Sequence, residues 1–411
     1  MKRPYYGWLV CAAATGLLFI TMGTVSNGFS VYLPFIMAER GLTNAQTSSL
    51  VTLRCLVSFF AMLVIGRYYR VFSLRAGTAV AAGCAGAAFL LYSAAKDYRT
   101  FCVGAAVSGL SYGFGSMIPV SILMARWFVR RRALALSICA TGSGIATIVL
   151  PPVTTRLVER LSMPAAFRIE AVFIFAFTAV IFLLLRNDPA EKGLAPYGQE
   201  DAPAASGGEG AEEGAQSRSL TPRMWALMFL VSLCMGGLAN PGFSHLSVLY
   251  TSEGFSAMAV AAAISGTGLM ITVGKLLYGG TTDRIGGERS SLLFGGVLLA
   301  GHLLCCLAFT GSLALCAAAV VCLGIGYPIA TIGPSVWAGD MSSTDRYPAV
   351  VRRLQVIYAG GALLFAGVPG LLADRCGGSY IPAYVLFSAF LALALLCIAL
   401  AYRENGRRSL A

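Results

Sequence analysis

The chain has 411 residues, 57% of them hydrophobic and only 12% charged, with a net charge of +12 and a mean hydropathy of +0.75. A water-soluble domain carries about 25% charged residues and has no core large enough to hide this much apolar surface. The composition excludes a cytoplasmic enzyme, a disordered chain and a secreted disulfide module, and leaves an integral membrane protein.

Twelve apolar stretches follow along the chain: 8–36, 46–67, 76–95, 100–126, 133–157, 166–186, 223–250, 257–280, 290–310, 313–338, 350–373 and 381–402. Each has about the 20 residues that an α-helix needs to cross a ~30 Å hydrocarbon core. The first, after Lys2-Arg3, is too long for a cleaved signal peptide. Between the sixth and seventh, residues 187–222 are rich in Ala, Gly, Glu and Pro and read as a poorly ordered cytoplasmic linker. The expected architecture is an all-α membrane protein. It has an N-terminal six-helix bundle (1–186), the linker (187–222) and a C-terminal six-helix bundle (223–411).

Twenty-one of the 30 Lys and Arg residues fall on the side that carries the linker and both termini, and seven on the other. The positive-inside rule then predicts a multi-pass protein of the plasma (cytoplasmic) membrane with both termini in the cytoplasm. Most of the net charge is orientation signal, so no nucleic-acid partner is expected. All four tryptophans (Trp8, Trp127, Trp225, Trp337) fall at that boundary, where they are expected to act as interfacial anchors. Eleven of the 12 cysteines lie in apolar runs, with no Cys-x-x-Cys pair and no Cys/His metal spacing. Neither a disulfide nor a metal or cofactor site is expected.

An internal repeat is visible. Gly109-x-x-Tyr112 precedes Pro119 as Gly324-x-x-Tyr327 precedes Pro334. Gly142 and Pro151 in the fifth span match Gly360 and Pro369 in the eleventh. Two homologous halves are expected, related by an axis along the membrane normal.

Residues 279–289 follow G-x-x-x-D-R-x-G-G-x-R, placing Asp283, Arg284 and Arg289 at the cytoplasmic end of the eighth span as a candidate gate. An ordinary charged turn is the alternative. The first-half copy, Gly66 to Arg75, lacks the Asp. With Tyr5-Tyr6-Gly7-Trp8, Arg126-Trp127-Phe128-x-Arg130-Arg131-Arg132 and Gly274-Lys275-x-x-x-Gly279, the whole chain resembles a major facilitator superfamily transporter. Within it, the chain resembles the monocarboxylate porter and oxalate:formate antiporter branch. The resemblance implies secondary active transport by alternating access around a central site, normally as a monomer.

Charge inside the membrane is costly and points to function. All 18 acidic residues read as lying in loops, the linker or span ends, whereas Arg54, Lys275, His245 and His302 lie within spans. Fixed cations without fixed anions favour an anionic solute. Lys275 is eight residues before Asp283, about 12 Å up the helix at about 1.5 Å per residue. In the resembled branch the residue after this glycine is an Arg that holds the substrate carboxylate. The alternative is a lysine snorkelling to the interface. The branch's second basic residue, in span 11, falls at Gly360, so one carboxylate per substrate fits better than a clamped dicarboxylate.

Arg54 reads either as lining an outer vestibule or as bonded to carbonyls of span 11. His245 follows the helix-breaking Asn240-Pro241-Gly242 and reads either as a titrating group or as a packed histidine; His302 reads as scaffold. Tyr112, Tyr327 and Asn27 are polar-tipped candidates for substrate hydrogen bonds, or packing residues.

The function expected is transport of a small, monocarboxylate-like organic anion. Without a mid-span carboxylate, coupling is expected through a counter-anion (antiport) or through a proton on Lys275, His245 or the substrate (symport). Export of drugs or other small molecules is the alternative, although Gly142-Ser143-Gly144 matches the exporters' G-x-x-x-G-P-x-x-G-G pattern poorly. A membrane sensor or enzyme on the same scaffold is the remaining alternative, and no Ser/His/Asp constellation or soluble domain supports it.

Overall fold

The computed structural model describes residues 5–42, 44–199 and 220–410. Eleven helices among them are long and apolar enough to cross a membrane, and the remaining expected span is also helical. In chain order they are α1 (Gly7–Leu33), α2 (Ser49–Val71), α3 (Leu74–Ala94), α4 (Tyr98–Trp127), α5 (Arg132–Arg160), α6 (Met163–Leu184), α7 (Pro222–Ser244), α8 (Ala257–Ile285), α9 (Gly287–Cys306), α10 (Leu313–Met341), α11 (Tyr347–Ala373) and α12 (Ile381–Arg407). Helix is the form that satisfies every backbone group inside hydrocarbon. Side-chain caps mark many starts: Ser73, Asp97, Ser162, Thr221, Ser256 and Ser312 each accept from an N–H three residues on.

The chain forms two compact units, Met1–Ala202 and Pro203–Ala411. The centre of the expected linker, residues 200–219, lies outside the described residues. Inside the first unit α2 packs on α4, α1 on α5, and α3 on α4 and α6; inside the second α8 packs on α10, α7 on α11, and α9 on α10 and α12. The same pairings recur, as an internal repeat requires. Both fourth helices of the repeat are interrupted near the repeated tyrosine. α4 breaks at Gly115-Ser116, three residues after Tyr112, and α10 breaks at Tyr327 itself.

Glycine sets the closest crossings. A Cβ on Gly142 of α5 would overlap the Thr15 carbonyl of α1, and one on Gly236 of α7 would overlap the Tyr358 carbonyl of α11. Small residues let membrane helices touch backbone to backbone. Gly236→Ala is expected to cost about 1–3 kcal/mol through forced separation of α7 and α11, read as a lower melting temperature of the purified protein. Gly296→Ala, where a Cβ meets open space, is the control and should leave it unchanged.

Two of the four tryptophans depart from expectation. Trp127 and Trp337 are fully buried within their units rather than standing at the lipid interface. Their indole N–H groups donate to the Arg186 carbonyl (3.2 Å) and to Ser291 Oγ (2.9 Å). A buried indole keeps its N–H only where a partner exists, and these do.

Two of the motifs behind the resemblance touch each other. Tyr5 donates to the carbonyls of Trp127 (3.1 Å) and Ala195 (2.9 Å), and its ring meets those of Trp127, Phe128 and Tyr197. Phe128 bridges to Tyr197, and Arg126 pairs with Asp188 at 3.0 Å. The Tyr-Tyr-Gly-Trp and Arg-Trp-Phe segments thus clasp the chain that leaves α6.

Candidate functional site

Lys275 lies on the face of α8 opposite its exposed stripe. Val273, Leu276 and Leu277 are 40%, 43% and 47% exposed, whereas Lys275 is 6% exposed. At 100° per residue the lysine points about 160° away from Val273 and Leu277 and about 100° away from Leu276. Gly274 beside it is where α8 meets α10: a Cβ there would stand 2.7 Å from the Gly324 carbonyl. The glycine lets the helices close, and the next residue is buried.

The C-terminal unit also holds a small pocket. Gly242 and Phe243 of α7, Thr267 of α8, His302 of α9, Tyr327 of α10 and Tyr384 of α12 contribute to its walls. Tyr327 and His302 therefore come together, while Lys275, eight residues past Thr267, and His245 are not in the lining. His302 is buried and its Nδ1 bonds the Leu298 carbonyl at 3.0 Å. His245 is half-buried at the break between α7 and the short helix Leu246–Ser252. Its Nδ1 is 2.9 Å from the Pro241 carbonyl, and its ring stacks on Tyr380.

In the N-terminal unit, Phe19–Gly28 of α1 is π-helical, an irregularity that often marks functional sites. Arg54 of α2 is buried and donates to two carbonyls of this segment, Val25 (2.8 Å) and Ser26 (3.4 Å). Its carbonyl partners come from span 1 rather than span 11. Tyr112 lies within electrostatic reach of the guanidinium. Asn27, next along the π segment, is exposed and donates to Thr147 Oγ1 of α5 at 2.5 Å. Arg54, Tyr112 and the Val25–Asn27 turn thus form one neighbourhood.

The family model for the Major Facilitator Superfamily matches residues 15–279, more than half of the chain. The chain belongs to the major facilitator superfamily. This makes it a multi-pass membrane transporter rather than an enzyme. The superfamily fold extends over nearly its whole length. The human organic anion transporter MFSD10 (TETRAN) has a TM-score of 0.71 at 14% identity, covering 96% of this chain and 100% of that one. FucP in its outward conformation has a TM-score of 0.67 at 16% identity, covering 97% and 99%.

Among relatives by sequence, the fujikurins efflux protein of Gibberella fujikuroi is 33% identical over 28% of this chain and 25% of its own length. Monocarboxylate transporter 12 of Xenopus laevis is 25% identical over 68% of this chain and 63% of its own. Monocarboxylate transporter 13 of Bos taurus is 25% identical over 69% and 64%. The chain thus matches between a quarter and under two thirds of the length of these curated relatives.

At the superfamily motif, Asp283, Arg284 and Arg289 are exposed around the turn between α8 and α9. Gly286 makes that turn at φ +86°, open to glycine without strain. A Cβ on Gly287 would overlap Asp340 Oδ2, so a carboxylate from α10 sits at the start of α9, where it complements the helix dipole. Tyr402 holds that carboxylate at 2.6 Å. In the degenerate first-half copy, Arg75 reaches the Phe182 carbonyl (2.7 Å) and stacks on the Phe182 ring.

One acidic residue of the transporter departs from the expected inventory. Glu170 is not at a span end but eight residues into α6, 6% exposed, with Oε1 accepting from Thr154 Oγ1 of α5 at 2.5 Å. The expected span began at 166, whereas the helix begins at Met163, capped by Ser162 with Pro164 in its first turn. That Ser-x-Pro start signal, present in the sequence, would have placed Glu170 two turns deep.

Proposed function

We propose that the protein carries a small organic anion of the monocarboxylate kind across the cytoplasmic membrane by alternating access, with Lys275 holding the carboxylate. The observation that carries this reading is the burial of Lys275 on the side of α8 away from the exposed stripe. An ammonium buried in a membrane helix is kept against a cost of about 2.5–3.5 kcal/mol on insertion scales, and an anionic substrate offsets that cost. Arg54 and Tyr112 supply a second polar neighbourhood in the other unit, with Asn27, His245 and Tyr327 as candidate hydrogen-bonding groups. Two relatives named as monocarboxylate transporters support the substrate class. The same reading includes a monomer with both termini in the cytoplasm, a cytoplasmic linker at 187–222, Asp283, Arg284 and Arg289 as gating residues, and a counter-anion or a proton as the coupled species.

A second reading, export of a small metabolite, is favoured by relatives named as fujikurins and aspyridones efflux proteins. A thermal-shift screen of the purified protein separates the two. At one hundred times its dissociation constant a bound ligand stabilises by about 2.7 kcal/mol. The anion reading expects that shift from monocarboxylates. Shifts confined to uncharged or cationic compounds would replace it with the export reading.

A further inference from the structure

Glu170 is a buried carboxyl group that the anion reading does not use. Oε1 is held by Thr154, whereas Oε2 is buried with no hydrogen-bond partner among the described residues. Tyr32 of α1 is completely buried, and its hydroxyl stands beside the same carboxyl. That hydroxyl also lacks a hydrogen bond of good geometry. The Tyr32 ring is fixed by stacking on Phe167 at 3.8 Å between centroids. Three helices therefore deliver a carboxyl, a threonine hydroxyl and a tyrosine hydroxyl to one spot, with both hydroxyls beside the carboxyl.

Among the described residues no ion pair to Glu170 is found. The ion pairs found among the described residues, Arg126 with Asp188 and Arg223 with Glu404, lie elsewhere. From α3, Tyr92 faces Phe167, and its hydroxyl is occupied by Ser108. Arg156, Glu159 and Arg160 of α5 and Arg168 of α6 are exposed. The helix that carries Tyr32 runs on to Arg40, where Glu39 is exposed and Arg40 is half-buried about two turns beyond the tyrosine. An ionised carboxylate at such a place costs several kcal/mol when no cation is paired with it. A carboxylic acid carries no such charge, and its O–H is a donor for a neighbouring hydroxyl oxygen. A proton, unlike a larger cation, needs no cavity.

We propose that Glu170 is a proton-binding site of this transporter, and that its carboxyl group takes up and gives back one proton during the working cycle. On release the O–H bond breaks, the electron pair stays on the carboxylate oxygen, and the proton leaves to water. On uptake the same bond re-forms. The proton is then carried by the N-terminal unit and the anion, on the reading above, by Lys275 of the C-terminal unit. Only that division of labour rests on the anion reading; the proton site stands apart from it and is tested without any substrate.

The test is infrared difference spectroscopy of the purified full chain as the buffer is stepped from acid to alkaline. The expected result is a carbonyl stretch of a protonated carboxyl group that disappears as the pH rises, moves to lower frequency in heavy water, and is lost in Glu170→Gln. Tyr32→Phe and Thr154→Val keep the carboxyl group and are expected to displace the band, which keeps the proposal testable if Glu170→Gln does not fold. A band that survives in Glu170→Gln, that pH does not change, or that neither hydroxyl removal moves would overturn it. So would a band that does not shift in heavy water, which would mark a sealed structural proton.

Discussion

Lys275→Met is expected to abolish uptake of whichever carboxylate stabilises the wild type, while the purified protein still folds and melts at much the same temperature. The lysine is buried, on the side of α8 away from the exposed residues Val273 and Leu277. A hydrogen bond to a charged group is worth about 1.5–3 kcal/mol, so losing it weakens anion binding roughly ten- to hundredfold. The fold does not need the charge, since replacing buried ions with apolar groups of similar volume is often neutral or stabilising. Methionine keeps the stem's volume and removes only the ammonium. Lys275→Arg retains the charge and should retain part of the uptake, because a guanidinium presents a fork where the ammonium is a point charge. The measurement is uptake of the labelled carboxylate into proteoliposomes containing equal amounts of each variant. Undiminished uptake by Lys275→Met would remove Lys275 from the site and leave a transporter of unspecified substrate.

Trp127→Ala carries the largest expected cost to stability, about 3–5 kcal/mol for a fully buried indole. The residue is the centre of the clasp. Its N–H holds the Arg186 carbonyl, its own carbonyl accepts from Tyr5 and from the Tyr197 N–H (2.9 Å), and its ring packs against Tyr5 and Tyr6. Removing the ring leaves a cavity and an unsatisfied carbonyl where the start of α1, the end of α4 and the chain after α6 converge. Trp127→Phe keeps most of the ring and loses the donor, so it should fall between the wild type and alanine. Thermal unfolding in detergent provides the measurement. A melting temperature for Trp127→Ala equal to that of the wild type would show that the clasp adds nothing to stability.

Several features were legible because they depend on local pattern. Span lengths follow from the thickness of hydrocarbon, and helix starts follow from residues such as Ser73, Asp97 and Thr221 that accept from the third N–H beyond them. The Gly-x-x-Tyr repeat marked the two helices that break near Tyr112 and at Tyr327. Other features were misread for physical reasons. Trp127 and Trp337 stand at the ends of spans, where position along the helix suggests an interface, but rotation about the helix axis turns them inward. Glu170 reads as a span end because hydropathy alone places the helix start at 166, three residues after Met163. Arg54 takes its carbonyls from the π-helical stretch of α1, and nothing in Phe19–Gly28 announces that winding.

The sequence by itself determined that this is a helical membrane transporter built from two similar halves, because the bilayer imposes length, apolarity and backbone saturation on every span and these are properties of contiguous residues. Only the tertiary structure decided that Lys275 faces inward, that Arg54 seals the π segment, and that Glu170 meets Thr154 and Tyr32. Those meetings depend on how far each helix is rotated and where glycines let two backbones cross, which are properties of pairs of helices distant in the chain.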